Sequence, residues 1–148
     1  MDLGRTYDQL NIGDKSSFRK TITETDVVMF AGLTGDFNPI HIDAIYASHE
    51  PFGRRIAHGM LTLSLLTNVL GNKFPGLGTV LLDVQCRFKA PVYIGDTIEV
   101  QLTVIEKLDA RGWVRMDARF TNQDGKEVIS GSTLAMPPAA PVALTKSS

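Results

Sequence analysis

Between Gly59 and Leu70 the chain reads Gly-Met-Leu-Thr-Leu-Ser-Leu-Leu-Thr-Asn-Val-Leu. Wound as a helix, this segment puts Met60, Leu61, Leu63, Leu65, Leu66, Val69 and Leu70 on nearly every side. A helix that is apolar all round has to be buried on most of its faces. It is not a membrane span. The apolar stretch from Ile56 to Leu70 is too short, and His58, Thr62, Ser64, Thr67 and Asn68 interrupt it. Gly71 is its expected stop. Whatever else the chain does, it has to cover this helix.

The second half supplies the cover. Val80, Leu82, Val84, Cys86 and Phe88 alternate with mostly polar neighbours, as do Ile98 to Val104, Val114 to Phe120, and the run Val128 to Met136. Period-two alternation predicts half-buried antiparallel strands. Asp109-Ala110-Arg111-Gly112 and Asp124-Gly125 are the expected turns. Lys15 to Ile22 reads as a first strand. One strand, then helices, then four strands gives an α+β architecture, a curved antiparallel sheet wrapped around one central helix. Such a sheet keeps its edges, and edges invite pairing with a second copy.

Between the first strand and the central helix the signals are local. Thr23-Glu24-Thr25-Asp26 has capping-box spacing with Asp in the last place. Val27, Val28, Phe30, Ala31 and Leu33 follow as an apolar face, with Gly35 as the stop. Asn38-Pro39 is expected to interrupt helix, because the residue before proline is pushed out of the α region. Asp43 to His49 reads as another short helix.

Length and composition narrow the function classes. The 148 residues suffice for one domain with its own core. The expected domain is 1–136, followed by a Pro/Ala-rich tail at 137–148. A net charge of −1 argues against nucleic acid as a partner. The lone Cys86 excludes an internal disulfide and a cysteine-based zinc site within one chain. Met1-Asp2-Leu3-Gly4-Arg5 lacks the basic start and apolar run of a secretory signal, so a soluble cytoplasmic protein is expected.

Of the three histidines, His41 alone sits in a dense polar cluster, Gly35-Asp36-Phe37-Asn38-Pro39-Ile40-His41-Ile42-Asp43. Five residues span at most roughly 17 Å, so the chain must curl for Asp36 and His41 to meet. An Asn-Pro turn can provide that curl. A carboxylate and an imidazole converging on one water form an acid/base pair. The alternative is an ordinary surface turn that happens to carry a histidine. A second feature is Arg54-Arg55-Ile56-Ala57-His58-Gly59-Met60, at the entry to the central helix. There the Gly59 N–H is a candidate donor to a ligand carbonyl. The bland reading is that Gly59 only permits close helix–strand packing and that His58 caps or packs.

Three segments then act together. Phe30 to His41 (Phe-Ala-Gly-Leu-Thr-Gly-Asp-Phe-Asn-Pro-Ile-His), Pro51 to Leu61, and Phe88-Lys89-Ala90-Pro91-Val92 with Gly95-Asp96 resemble, in order and spacing, the MaoC-like (R)-specific enoyl-CoA hydratases. The resemblance covers residues 10–136. It implies the hot-dog fold, a curved antiparallel sheet around one long helix, with protomers paired into dimers through a continuous sheet. It implies reversible hydration of trans-2-enoyl thioesters to (R)-3-hydroxyacyl thioesters, with no metal or redox cofactor. Asp36 and His41 would hold and activate the water, the Gly59 N–H would meet the thioester carbonyl, and Asn38 would brace the loop. Thr67 aligns with a serine that some members carry near the site, and Ser64 lies on another face of that helix. Arg54, Arg55, Arg87 and Lys89 are the candidate rim for coenzyme A phosphates; the alternative for them is solvated surface or internal ion pairs. A (3R)-hydroxyacyl-acyl-carrier-protein dehydratase, an acyl-thioesterase and a non-catalytic thioester-binding module are the competing functions.

Overall fold

The computed structural model describes residues 4–139. Five strands form one sheet: β1 (Lys15–Thr21), β2 (Val80–Phe88), β3 (Thr97–Leu108), β4 (Trp113–Thr121) and β5 (Glu127–Met136). Their order is β1-β3-β4-β5-β2, and every neighbouring pair is antiparallel. β3–β4 and β4–β5 are hairpins. Gly112 and Gly125 turn them with positive φ, which costs glycine nothing. In the second turn the Asn122 Oδ1 accepts from the N–H groups of Asp124 and Lys126, each at 3.0 Å.

Alternation does what the sequence predicts on the central strands. Ile98, Val100, Leu102 and Val104 of β3 and Val114, Met116, Ala118 and Phe120 of β4 are all buried. Against this face lie Leu61, Leu65, Leu66, Val69 and Leu70 of the central helical run, joining the same core. Each fully buried aliphatic or aromatic side chain contributes about 1.5–3 kcal/mol relative to exposure. β3 reaches four residues beyond Val104, and a bulge between Val104 and Glu106 resets its register.

The first helices follow from their caps. α1 (Glu24–Thr34) starts in a capping box in which Thr23 Oγ1 accepts from the Asp26 N–H and Asp26 Oδ2 accepts from the Thr23 N–H. It stops at Gly35, with φ 79°. Only Val27 and Ala31 of its expected apolar face are fully buried; Val28 and Leu33 face outward. Asn38 stands outside the α region, with φ −52° and ψ 127°, as expected of a residue before proline. Pro39 opens a one-turn helix, α2 (Pro39–Ile42), with Asn38 as its cap, because proline's fixed φ suits the first helical position. α3 (Ala44–Ser48) follows, capped by Asp43.

The central run is continuous but not uniform. α4 (Gly59–Ser64) and α5 (Leu66–Asn68) are joined at Leu65, which keeps helical dihedrals. A π turn, Val69–Lys73, then carries the helix past the expected stop at Gly71. The widened turn is closed by the Phe74 N–H bonding the Val69 carbonyl at 2.6 Å, with the Phe74 ring buried in the core. The helix is also not covered on every side, because Met60, Ser64 and Thr67 form an open stripe.

The edge strand β2 departs from simple alternation. A bulge between Leu81 and Asp83 leaves Leu82 unpaired and puts Leu81, Val84, Cys86 and Phe88 opposite Ala135, Thr133, Gly131 and Ile129. That is the core-facing side, yet Leu81, Val84 and Phe88 stay exposed. Pro137 and Pro138 are buried, and the expected tail from residue 140 on lies outside the described residues. Among the described residues no helix is long and apolar enough to cross a membrane.

Gly131 sets how closely β2 can approach β5. A Cβ built there would sit 2.0 Å from the Gln85 carbonyl oxygen and 2.8 Å from Cys86 Cα. These are backbone atoms, so no rotamer change relieves the clash. Gly131→Ala is expected to cost about 1–3 kcal/mol, the usual range for overpacking. Thermal unfolding followed by circular dichroism reads this as a lowered midpoint; an unchanged midpoint would show that β2 is free to shift.

Candidate active site

Three segments converge at the entrance to the central helix. α1 ends at Gly35 and delivers Asp36. The short α2 delivers His41. The strand-like segment Arg54 to His58 leads into Gly59 and is tied to the sheet by the Ala57 N–H on the Val92 carbonyl at 2.7 Å.

Asp36 is fixed from both sides. Its N–H donates to Thr34 Oγ1, and its Oδ1 accepts from the Asn38 N–H, both at 3.2 Å. Asn38 in turn accepts from the Ile40 N–H as the α2 cap. The remaining oxygen, Asp36 Oδ2, faces His41 Nε2 at 4.0 Å. The Asp36 side chain is 52% exposed and that of His41 only 8%. The dyad therefore has one open and one sheltered member.

The tautomer of His41 follows from its neighbours. Nδ1 lies 2.7 Å from the Ile56 carbonyl oxygen, which can only accept. Nδ1 therefore carries the proton, and in the neutral ring Nε2 presents its lone pair toward Asp36. Burial is the leading cause that holds the His41 pKa below its ordinary value. The bond to Ile56 and the Asp36 carboxylate oppose burial, while His58 and the Arg55 cation push the same way as burial.

His58, read from sequence as a cap or packing residue, sits inside this cluster. It occupies the N-cap position of α4, but its side chain makes no cap bond. Its Nε2–H donates to the Asp36 carbonyl at 3.0 Å. Its ring stacks on His41, with centroids 3.8 Å apart and planes at 28°. Its Nδ1 is buried without a partner. Asp36, His41 and His58 offer ligand atoms within 4.8 Å of one another. Each lone pair lies in its own ring plane, and planes 28° apart on rings stacked at 3.8 Å do not meet within the roughly 2.0–2.1 Å reach of a zinc–nitrogen bond.

Gly59 is the first residue of α4, where an N–H has no intrahelical acceptor. A Cβ there would meet the Phe88 ring at 2.8 Å. Close packing and an available donor therefore coexist at this residue. Both belong to the wall of a cavity of ≈ 370 Å³ lined also by Phe52, Ile56, Thr62 and Ile129. The cavity adjoins the dyad through Ile56, whose carbonyl holds His41.

The other sequence candidates lie elsewhere or are engaged. Thr67 spends its hydroxyl on the Ser64 carbonyl at 2.7 Å, on the open stripe of the helix. Arg54 lies over the Tyr93 ring at 3.9 Å, exposed. Lys89 lines the cavity and pairs with Glu127. Arg87 lies on the exposed edge strand. Arg55 turns inward, where its Nε–H donates to the His41 carbonyl at 2.6 Å and its Nη1 to both oxygens of Glu24 at 2.9 Å. Sequence reasoning missed His58 and the Ile56 carbonyl. The adjacency of His58 to Gly59 was a signal for the first; a backbone carbonyl gives none.

Comparison with known proteins adds a second line of observation. Residues 9–124 match the family described as MaoC like domain. An (R)-specific enoyl-CoA hydratase from Rhodospirillum rubrum is 39% identical over 90% of this chain and 92% of its own length. A 3-hydroxybutyryl-CoA dehydratase from Methylorubrum extorquens is 39% identical over 89% of this chain and 83% of its own. Among solved structures, an unliganded R-hydratase from Pseudomonas aeruginosa superposes with a TM-score of 0.86 at 40% identity, covering 95% of this chain and 92% of that one.

Proposed function

The chain belongs to the MaoC-like family, and from that premise we propose that it is an (R)-specific enoyl-CoA hydratase. It interconverts trans-2-enoyl-CoA and (R)-3-hydroxyacyl-CoA. The observation that carries the reading is the 4.0 Å gap between Asp36 Oδ2 and the His41 Nε2 lone pair. Both are acceptors in the resting site. A water donating to each at about 2.8 Å straddles a gap of this size.

The chemistry follows from that water. Its oxygen bonds to C3 of the enoyl group while one member of the pair takes its proton. The resulting acid gives a proton to C2, which returns the pair to its starting state. Negative charge gathers meanwhile on the thioester oxygen, where the Gly59 N–H is the donor. Arg54, exposed, and Lys89, at the cavity wall though paired with Glu127, are offered to the carrier phosphates.

A spectrophotometric assay with crotonyl-CoA tests the reading. Hydration removes the enoyl absorbance without releasing thiol, whereas a thioesterase releases thiol and a binding module does neither. Coupling the product to an (S)-specific 3-hydroxyacyl-CoA dehydrogenase is expected to give no NADH. Asp36→Asn and His41→Gln are each expected to lower turnover by about 10²–10⁴, the worth of a positioned acid or base. The double variant is expected to lose far less than the product of the two, since groups gripping one water act as a unit.

The Gly59 donor has its own test. Gly59→Ala adds a Cβ against Phe88 and keeps the N–H, whereas Gly59→Pro adds a Cβ and deletes it. His58 has ψ 134°, a conformation that accepts a following proline. The proline variant is expected to turn over about 10²–10³ more slowly than the alanine variant. Equal rates would remove the donor from the mechanism.

A homodimer through β2 is the second part of the proposal. The opposite edge, β1, carries Lys15, Arg19 and Lys20, charges that discourage pairing. β2 instead exposes Leu81, Val84 and Phe88 on the core-facing side, and the helix leaves Met60 open. Light scattering at micromolar concentration is expected to give twice the chain mass, and Val84→Glu half of that. A wild-type monomer would overturn this part.

A further inference from the structure

Arg55 offers more than an internal ion pair. The two members of the dyad ride on different elements. Asp36 follows the end of α1, and His41 stands in α2, a single turn too short to hold itself. The last carbonyls of a helix have no intrahelical partner. In α2 the Ile40 carbonyl accepts from the Ile56 N–H at 3.2 Å, and the His41 carbonyl accepts from Arg55 Nε at 2.6 Å. Beyond its Nε the same guanidinium grips Glu24, in the first turn of α1. Arg55 is therefore one side chain bonded to both elements that carry the dyad, and it leaves the segment that also supplies the Ile56 carbonyl. Its side chain is only 16% exposed. A planar fork of this kind fixes direction as well as distance, which an ammonium does not.

We propose that Arg55 is a positioning residue that holds Asp36 and His41 at their working separation by clamping α2 to α1 through the His41 carbonyl and Glu24. The proposal rests on the hydratase reading for its kinetic consequence, but its geometry stands by itself. A second consequence is electrostatic. The titratable and charged groups facing His41 are Asp36 from the loop after α1, and Arg55 and His58 from the segment before α4, with Glu24 behind Arg55. The Arg55 cation opposes a second positive charge on the His41 ring. Without it, protonation of His41 becomes easier and its midpoint rises.

The test compares the full chain with Arg55→Met, Arg55→Lys and Glu24→Gln on two substrates. These are crotonyl-CoA and crotonyl-N-acetylcysteamine, a thioester without the nucleotide phosphates. Positioning predicts that Arg55→Met lowers kcat about 10–10²-fold, the scale of a misplacement near 1 Å, equally on both substrates. KM is expected to change little. Arg55→Lys recovers part of the loss. Glu24→Gln, at an exposed side chain, keeps the fold and shows a smaller loss of the same kind. The acid limb of kcat/KM moves up in Arg55→Met, as does the His41 midpoint, which burial holds low in the wild type, in a nitrogen-15 imidazole titration. A loss seen only with crotonyl-CoA, and in KM, would make Arg55 a phosphate ligand and overturn the proposal. So would a lowered melting temperature with unchanged kcat per folded molecule and an unmoved His41 midpoint. If the wild type fails to hydrate crotonyl-CoA, the hydratase reading falls, and the titration still decides Arg55.

Discussion

The burial of the helical run from Gly59 to Lys73 against the concave face of the sheet is the constraint from which the rest follows. Leu61, Leu65, Leu66, Val69 and Leu70 share one core with the alternating residues of β3 and β4. Because that helix enters the core at Gly59, its first turn and the segment before it are held in one place. The isolated bridge between Ile56 and Tyr93, and the Ala57 bond to Val92, fasten the approach to the same sheet. Everything chemically interesting is then built against this fixed edge.

The segment from Arg54 to Gly59 acts as a mould. Its side chains and main chain supply the carbonyl that sets the His41 tautomer, the Arg55 donor to the His41 carbonyl, the His58 donor to the Asp36 carbonyl, and the Gly59 N–H. Short elements such as α2 cannot fix a side chain alone, since one turn of helix is costly to nucleate. Cast against a rigid segment, they hold their geometry. The arrangement also keeps the buried polar groups nearly all paired; His58 Nδ1 and Thr62 Oγ1 are the two here that are not.

The two sheet edges are unlike for a physical reason. β1 presents Lys15, Arg19 and Lys20, two of them held by Glu99 and Asp26. β2 presents apolar side chains on the face where its own helix stops covering. The open stripe of Met60, Ser64 and Thr67 repeats the shortfall on the helix. Among the described residues the chain thus leaves an apolar surface uncovered.

Much of this was legible in the residues themselves. The apolar helix, the alternation of β3 and β4, the Thr23–Asp26 box and the Gly35 stop are local patterns that follow from side-chain type and spacing, whereas spacing left Asp36 and His41 open between an acid/base pair and a surface turn and only the family resemblance paired them. What sequence could not decide was which main-chain atoms meet. The partners of His41, Arg55 and His58 lie 15, 14 and 22 residues away. Each is a backbone carbonyl, which every residue possesses and none advertises. For Arg55 the sequence left open a phosphate rim or an internal ion pair; packing against α1 and α2 decided for the second. The π turn past Gly71 and the bulge at Leu82 are likewise adjustments of the backbone to what lies across from it. The chain's own pattern determined which elements form and which side chains can do chemistry, and the tertiary structure decided their tautomers, partners and separations, because those depend on backbone groups brought together only by the folded core.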